Sequence, residues 1–120
     1  MKENELTENI IGSAFAVLNQ LNPGLDENLY ERALGVELGS QGIEINAQTE
    51  FPVYYKNTYI GKLIPDMLVA NQIIVETKVV SGINESHIAQ VLGYLNITGL
   101  KIGLILNFKY SKLQIKRVIL

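Results

Sequence analysis

Two carboxylates and one ammonium group are spaced along residues 65–78 as a cation-assisted site would require. Pro65-Asp66 is followed, after nine intervening residues, by Glu76-Thr77-Lys78. These residues fall on what read as two adjacent β-strands, where inward-pointing charges are costly unless they are paired or bind a metal. A divalent cation held by Asp66 and Glu76, with Lys78 beside it, removes that cost. Such a site has the groups needed to hydrolyse a phosphodiester bond.

The turn between the two strands decides whether the two carboxylates share a face. Side chains alternate faces along a strand, so a two-residue loop at 71–72 would pair Asp66 with Thr77, on the wrong face. A three-residue loop at 70–72 pairs Asp66 with Glu76, whose Cβ atoms would then lie about 4.5–5.5 Å apart. The metal-site hypothesis therefore predicts the three-residue loop, or a bulge near Pro65 that restores the phase.

Magnesium or manganese is the cofactor that this donor set favours. Magnesium prefers oxygen ligands and keeps several waters, and the carboxylates of Asp66 and Glu76 with the Thr77 carbonyl would supply three oxygens. Lys78 would orient or deprotonate the attacking water, or stabilise charge on the phosphate. The alternative is structural, because Pro-Asp is a common turn or strand-entry dipeptide and Glu-x-Lys on a strand is commonly an exposed ion pair.

Polar residues on two predicted helices extend this candidate site. Glu27 begins a stripe that Tyr30 continues at helical spacing, so its carboxylate lies in line with residues that face the protein. It also sits in the first turn, where the helix dipole favours negative charge, and that alone is a sufficient alternative role. His87 and Gln90 form a similar stripe on a later helix. Gln90 could donate to a phosphate oxygen or hold the attacking water, whereas His87 is expected to bond locally rather than bind metal.

Hydrophobic periodicity predicts a mixed α/β fold, with a mixed central sheet flanked by helices in the order ααβββαββ. The helix between the third and fourth strands would make a crossover between parallel strands. The predicted helices are about Thr7–Leu21, Asp26–Ser40 and Asn84–Thr98. The predicted strands are about Ile43–Tyr55, Thr58–Val69, Ile73–Val80, Ile102–Asn107 and Gln114–Leu120.

Composition narrows the class of protein. A length of 120 residues suits one domain, 1–120, with a single core, and 48% hydrophobic residues argue against disorder. No apolar run is long enough for a membrane span, and the acidic N-terminus is unlike a signal peptide. The chain has no cysteine, which excludes disulfides and thiolate chemistry, and a cytoplasmic location is expected.

The formal charge of −2 excludes a strongly basic nucleic-acid coat. A nucleic-acid substrate would have to bind through a local basic patch, through metal ions or through a partner. Tyr54, Tyr55 and Tyr59 surround a predicted hairpin turn, where sheet packing is favoured over base stacking. A modest basic cluster lies in the last fifth of the chain and comprises Lys101, Lys109, Lys112, Lys116 and Arg117.

The order and spacing of these motifs resemble the PD-(D/E)XK nuclease superfamily. Pro65-Asp66 and Glu76-Thr77-Lys78 on a hairpin, with a helical glutamate before and a helical glutamine after, carry the resemblance. More narrowly, residues 24–30, Gly-Leu-Asp-Glu-Asn-Leu-Tyr, are similar to the Gly-x-x-Glu-x-x-Tyr signature of the GxxExxY family of small prokaryotic proteins. The similarity extends from about Ile10 to Val118 and includes segments 52–55, 75–78, 89–95 and 103–108.

The resemblance implies a restriction-endonuclease-like core and a set of site residues. It carries over Asp66 and Glu76 as metal ligands, Lys78 as the catalytic lysine, and Glu27 and Gln90 as helical residues near the metal. Tyr30 carries over as a signature residue without an assigned role.

The leading hypothesis is a metal-dependent nuclease that cuts DNA. The alternatives are a catalytically silent nucleic-acid-binding or protein-interaction module, and an oligomeric accessory subunit whose charged hairpin is only structural. RNA as the substrate, a homodimer formed through the apolar last strand, and a protein partner that supplies DNA binding are also left open.

Overall fold

A computed structural model describes all 120 residues, in three helices and seven strands. The helices are α1 (Glu3–Leu21), α2 (Glu27–Ser40) and α3 (Glu85–Thr98). The strands are β1 (Ile45–Ala47), β2 (Phe51–Tyr55), β3 (Thr58–Leu63), β4 (Met67–Val69), β5 (Ile73–Lys78), β6 (Ile102–Asn107) and β7 (Gln114–Ile119).

The main sheet has five strands in the order β1-β4-β5-β6-β7. Only β5 and β6 run parallel, and α3 connects them as the predicted crossover. The other neighbouring pairs are antiparallel, so the sheet is mixed, as predicted. Strands β2 and β3 form a separate two-stranded hairpin.

Two of the predicted strands were wrong, because each is broken in the middle. The predicted strand 43–55 divides at residues 48–50, where Gln48 adopts a left-handed φ of 56° that a strand cannot accommodate. The predicted strand 58–69 divides at residues 64–66, where Pro65 has no N–H to donate to a ladder. The element order is therefore ααβββββαββ. At other boundaries, α1 begins at Glu3 rather than Thr7, and β5 ends at Lys78 rather than Val80.

Helices cover the two faces of the main sheet unequally. The larger core, on one face, joins α1 and α2 to the sheet and includes Leu34, Val75 and Leu104. The smaller core, on the other face, joins α3 to the sheet and includes Ile74 and Ile105. Because successive strand residues alternate faces, Glu76 and Lys78 belong to the α3 face of β5, whereas Thr77 belongs to the α1–α2 face.

Close approach of α3 to the sheet depends on Gly103 of β6. A Cβ atom at this position would overlap the Val91 side chain of α3. The glycine therefore lets the helix lie directly on the strands that carry the candidate site. Gly99 ends α3 in the left-handed conformation, with φ of 77°, as its position in the sequence predicts. None of the three helices has the length and hydropathy that a membrane-spanning helix requires.

Candidate functional site

The two carboxylates meet where β4 ends its pairing with β5. The ladder pairs Val69 with Ile73, so the three-residue loop predicted at 70–72 is confirmed. Ala70 and Asn71 both have positive φ, as in a type I′ turn. This register sets Asp66 opposite Glu76, one residue beyond the last β4 pair.

Hydrogen bonds join the two carboxylate-bearing residues directly. The backbone N–H of Asp66 donates to Glu76 Oε2 at 2.5 Å, and the N–H of Thr77 donates to Asp66 Oδ2 at 2.9 Å. The Thr77 hydroxyl donates to the same Oδ2 at 3.2 Å. The Asp66 side chain thus accepts the Thr77 N–H at the position where the β4 ladder stops.

The second oxygen of each carboxylate remains free. Every buried side-chain nitrogen and oxygen atom in the protein has a hydrogen-bond partner. Since Glu76 Oε1 and Asp66 Oδ1 have none, both oxygens reach solvent. Each carboxylate is therefore held by one oxygen and presents the other.

Burial and mutual repulsion act most strongly on Glu76. Its side chain is 3% exposed, and burial followed by the Asp66 charge raises the pKa of Glu76 to about 7. The Asp66 amide and Lys78 oppose this rise. The pKa of Glu27 is also raised, first by burial and then by Asp66, while Lys78 lowers it. Glu76 and Glu27 therefore both lie close enough to Lys78 and to Asp66 to interact with them.

Lys78 and Gln90 lie side by side on the α3 face. Lys78 Nζ approaches Gln90 Oε1 at 3.5 Å, the long limit for a hydrogen bond. Gln90 is placed there by α3, whose first turn is fixed by a capping box at Asn84. His87 Nδ1 accepts the Asn84 N–H at 3.0 Å within this box. The local role predicted for His87 is therefore confirmed.

Glu27 reaches the site from the first turn of α2. Its carboxylate is half-buried and close enough to the Val79 backbone amide for that amide to lower its pKa. The turn before α2 contains Gly24 at φ 113°, a conformation that residues with a Cβ rarely adopt.

Tyr30 fixes this turn and so accounts for the third residue of the glycine–glutamate–tyrosine pattern. Its hydroxyl donates to the Asn22 carbonyl at 2.5 Å and accepts the Leu25 N–H at 3.2 Å. Its ring stacks on Phe108 at 4.8 Å between centroids. Phe108 in turn donates its N–H to the Lys78 carbonyl at 2.9 Å, so the α2 turn and the end of β5 share one support.

Asn107 holds the chain immediately after Lys78. It is fully buried and stands opposite Lys78 in the parallel ladder. Its Oδ1 accepts the Val80 N–H at 3.0 Å, and its Nδ2 donates to the Val80 carbonyl at 2.8 Å. The side-chain amide of Asn107 thus extends the hydrogen bonding of the sheet beyond β5 and fixes the backbone that follows Lys78.

Tyr94 is a neighbour of the carboxylates to which the sequence assigned no role. It follows Gln90 by one helical turn and is almost fully buried. Burial, followed by the charges of Glu76 and Asp66, raises the pKa of Tyr94 to about 12. A neutral phenol therefore lies beside the carboxylate pair at all physiological pH values.

Oxygen donors at this position suit a hard divalent cation. Asp66 and Glu76 each present one free oxygen, and the Thr77 carbonyl points to the same side as its N–H, toward Asp66. No group of three or more carboxylate or imidazole side chains converges anywhere in the protein. A cation here would therefore rely on two carboxylates, a backbone carbonyl and water, a set that Mg²⁺ or Mn²⁺ accepts.

The tyrosines of the β2–β3 hairpin lie apart from this cluster. Tyr54, Tyr55 and Tyr59 are each more than half exposed, and the expected sheet packing is limited to the cross-strand pair of Tyr54 and Tyr59. Only Tyr54 and Tyr59 contact each other, edge to face at 5.8 Å. The reason is that β2 and β3 join no other strand, which leaves the outer part of the hairpin in solvent.

Comparison with known proteins identifies the superfamily to which this chain belongs. A family model described as the PD-(D/E)XK nuclease superfamily matches residues 4–118. The chain therefore belongs to the PD-(D/E)XK nuclease superfamily, and its mixed sheet flanked by helices is the restriction-endonuclease-like fold of that superfamily. No curated protein and no solved structure gives a significant match to the chain.

Proposed function

We propose that the protein is a metal-dependent nuclease that hydrolyses phosphodiester bonds in DNA. The observation that carries the proposal is the pair of tethered carboxylates, Asp66 and Glu76, each with one free oxygen, beside Lys78. Superfamily membership supports nuclease-type chemistry. The glycine, glutamate and tyrosine at 24, 27 and 30, which the structure joins in one turn, support a place in the GxxExxY family.

Asp66, Glu76 and the Thr77 carbonyl would hold Mg²⁺ or Mn²⁺. The bound cation would supply positive charge that stabilises the charge developing on the phosphate. Burial, followed by repulsion from Asp66, raises the pKa of Glu76 to about 7, and a bound cation would offset both effects. We therefore expect metal affinity to rise with pH through about 7, because Glu76 must lose its proton to bind.

The remaining residues position water and phosphate. Lys78, which interacts with Glu76 and Glu27, would neutralise a phosphate oxygen or orient the attacking water. Gln90 contacts the Lys78 ammonium through Oε1, which leaves its amide N–H₂ free to donate to a phosphate oxygen. Glu27, whose pKa is raised, would accept a hydrogen bond from the water.

Cleavage of supercoiled plasmid and of single-stranded oligonucleotides, with added Mg²⁺ or Mn²⁺, tests the proposal. The double variant Glu76→Ala, Lys78→Ala should lose at least about 100-fold in rate, the scale seen when one transition-state contact is removed. The matched control is Glu50→Ala, Lys62→Ala, which removes an exposed carboxylate and lysine from the β2–β3 hairpin and should cut normally. Equal nicking by the wild type and the site variant would refute the proposal.

Calorimetric titration with Mn²⁺ tests the ligands separately from catalysis. Asp66→Asn keeps an oxygen to accept the Thr77 N–H but removes the charge, so we expect at least about tenfold weaker binding. Unchanged Mn²⁺ affinity in this variant would show that the assigned ligands are wrong. Clear Mn²⁺ binding without cleavage of any substrate would instead favour the catalytically silent module.

A further inference from the structure

Charge is distributed very unevenly along this weakly acidic chain. Residues 1–50 hold nine acidic and two basic side chains, whereas residues 86–120 hold five basic and no acidic ones. Such asymmetry indicates a polyanionic partner for the basic part. None of these five cations forms a salt bridge, because the only pair in the protein is Lys62–Glu50. Their charge is available to a ligand.

Three of the five cations lie on the side of the molecule that carries the candidate site. Lys109 and Lys112 are exposed on the loop between β6 and β7, which follows the end of β6 next to Lys78. Lys116 is exposed on β7 and stands in one row with Ile105 of β6 and Glu76 of β5. At about 4.8 Å between neighbouring strands, Lys116 lies roughly 10 Å from Glu76 on the same face.

The other two cations are placed elsewhere. Arg117 pairs with Leu104, whose side chain belongs to the α1–α2 core, so Arg117 points to the opposite face from Lys116. Lys101 precedes the first residue of β6, and the six residues of that strand separate it from the site edge by roughly 20 Å.

The loop that carries Lys109 and Lys112 is fixed to the segment that follows Lys78. The Tyr110 hydroxyl donates to the Ser81 carbonyl at 3.2 Å, and the Lys109 N–H donates to Asn107 Oδ1 at 3.2 Å. Tyr110 is half exposed and lines a cavity of about 600 Å³ together with Ser81 and Lys112. A held, exposed aromatic ring, flanked along the chain by Lys109 and Lys112, is suited to a base and its phosphates.

We propose that Lys109, Lys112 and Lys116, the basic strip, bind the sugar–phosphate backbone of the nucleic acid next to the scissile phosphate, with Tyr110 stacking on a base. The inference rests on the proposed function for its biological meaning, since it specifies how that site receives its substrate. The chain has a net charge of −2, which by itself would repel a nucleic acid. A local basic strip would allow binding without an overall positive charge. No separate DNA-binding partner is then needed for basal binding.

Measuring nucleic-acid binding in EDTA, without metal-dependent cleavage, tests the basic strip separately from catalysis. Fluorescence anisotropy with labelled single-stranded and duplex oligonucleotides, in EDTA and over a salt series, measures affinity and its salt dependence. The variant Lys109→Glu, Lys112→Glu, Lys116→Glu should bind at least about 30-fold more weakly. Its salt slope on single strands should fall by about 2, since each lost phosphate contact removes about 0.7.

A charge-matched variant separates position from net charge. Lys56→Glu, Lys101→Glu, Arg117→Glu makes the same change in net charge at three exposed positions outside the strip. It should stay within about threefold of the wild type. Equal loss in both variants, wild-type binding by the strip variant, or absence of oligonucleotide binding by the wild type would each overturn the proposal.

A small substrate distinguishes failure of the strip from failure of the proposed function. Bis(4-nitrophenyl) phosphate has no backbone to reach the strip, so with Mn²⁺ the strip variant should hydrolyse it at the wild-type rate while its plasmid cleavage drops. Loss of both activities with an intact circular dichroism spectrum would count against the strip as a separate binding surface. If the wild type hydrolyses neither substrate, the nuclease proposal fails, and the anisotropy comparison still decides the strip.

Discussion

The two consecutive β-hairpins, β2–β3 and β4–β5, differ in how their charged side chains are paired and buried. In β2–β3, the pair Glu50 and Lys62 lies in solvent at 3.0 Å, with side chains 57% and 46% exposed. In β4–β5, Glu76 is buried beside Asp66, and burial followed by the like charge of Asp66 raises the pKa of Glu76. An exposed ion pair contributes little to stability, whereas a buried like-charge pair reduces it. The β4–β5 hairpin therefore carries a cost in folding free energy that the fold alone does not explain.

Core packing should show the largest difference between the hairpins. Ile74 of β5 is fully buried against α3, whereas Ile60 of β3 is 63% exposed. We expect Ile74→Ala to lower the free energy of unfolding by about 2–5 kcal/mol and Ile60→Ala by less than about 0.5 kcal/mol. Urea unfolding of both variants measures the contrast. Similar losses would mean that β2–β3 is packed as tightly as the main sheet.

The buried carboxylate should produce the next largest effect, and it should depend on pH. Because the pKa of Glu76 is about 7 in the folded protein and near 4.5 when unfolded, the folded state binds more protons between these values. Stability from this group is thus present at pH 4.5 and is lost as pH rises through 7.

Glu76→Gln removes this dependence. In EDTA at pH 8 the variant should be more stable than the wild type by an amount on the order of 3 kcal/mol, and the gap should close toward pH 4.5. Urea titrations at the two pH values measure it, with Glu50→Gln as the exposed control that shifts at neither pH. A Glu76→Gln protein less stable than the wild type at pH 8 would show that the ionised carboxylate of Glu76 stabilises the folded state.

The tyrosine that supports the site from α2 should have a smaller effect. Tyr30→Phe keeps the ring stacked on Phe108 but removes the bond to Asn22 and leaves the Leu25 N–H without its partner. The expected cost is about 1 kcal/mol, a fall of roughly 4 °C in Tm. Thermal unfolding by circular dichroism measures it, with exposed Tyr54→Phe as the control. An unchanged Tm would mean that water replaces both bonds.

The exposed ion pair should have the smallest effect. Lys62→Ala is expected to leave the urea midpoint unchanged within error at low and at high salt, because both partners are solvated. A clear destabilisation that salt abolishes would show that the β2–β3 hairpin depends on charge after all, and the contrast with β4–β5 would weaken.

Local pattern was sufficient to predict the helices, the crossover and the turn at 70–72. Apolar spacing set the faces of α1 and α2, and alternation along β5 required the three-residue loop. The breaks at Gln48 and Pro65 were missed because β-branched and aromatic residues continue on both sides of each. Pro65 belongs to the Pro-Asp motif and also ends a strand, and the sequence pattern indicates only the first of these roles.

Residues whose roles depend on distant pairing could not be predicted. Asn107 acts on Val80 only because β5 and β6 are parallel in a register that places Lys78 opposite it. The row that joins Glu76 to Lys116 depends on two such ladders. Hydrophobic periodicity specifies faces within an element but not the register between elements separated by a crossover.

The bond from the Thr77 N–H to Asp66 has a consequence for how such a protein diverges. The same side chain caps the end of the β4–β5 ladder and, under the proposed function, presents an oxygen to the cation, so selection for folding and selection for activity would act on one position. Asparagine preserves the bond and removes the charge, whereas alanine or lysine removes both. A lineage that lost catalysis but kept the fold should therefore pass through asparagine at position 66.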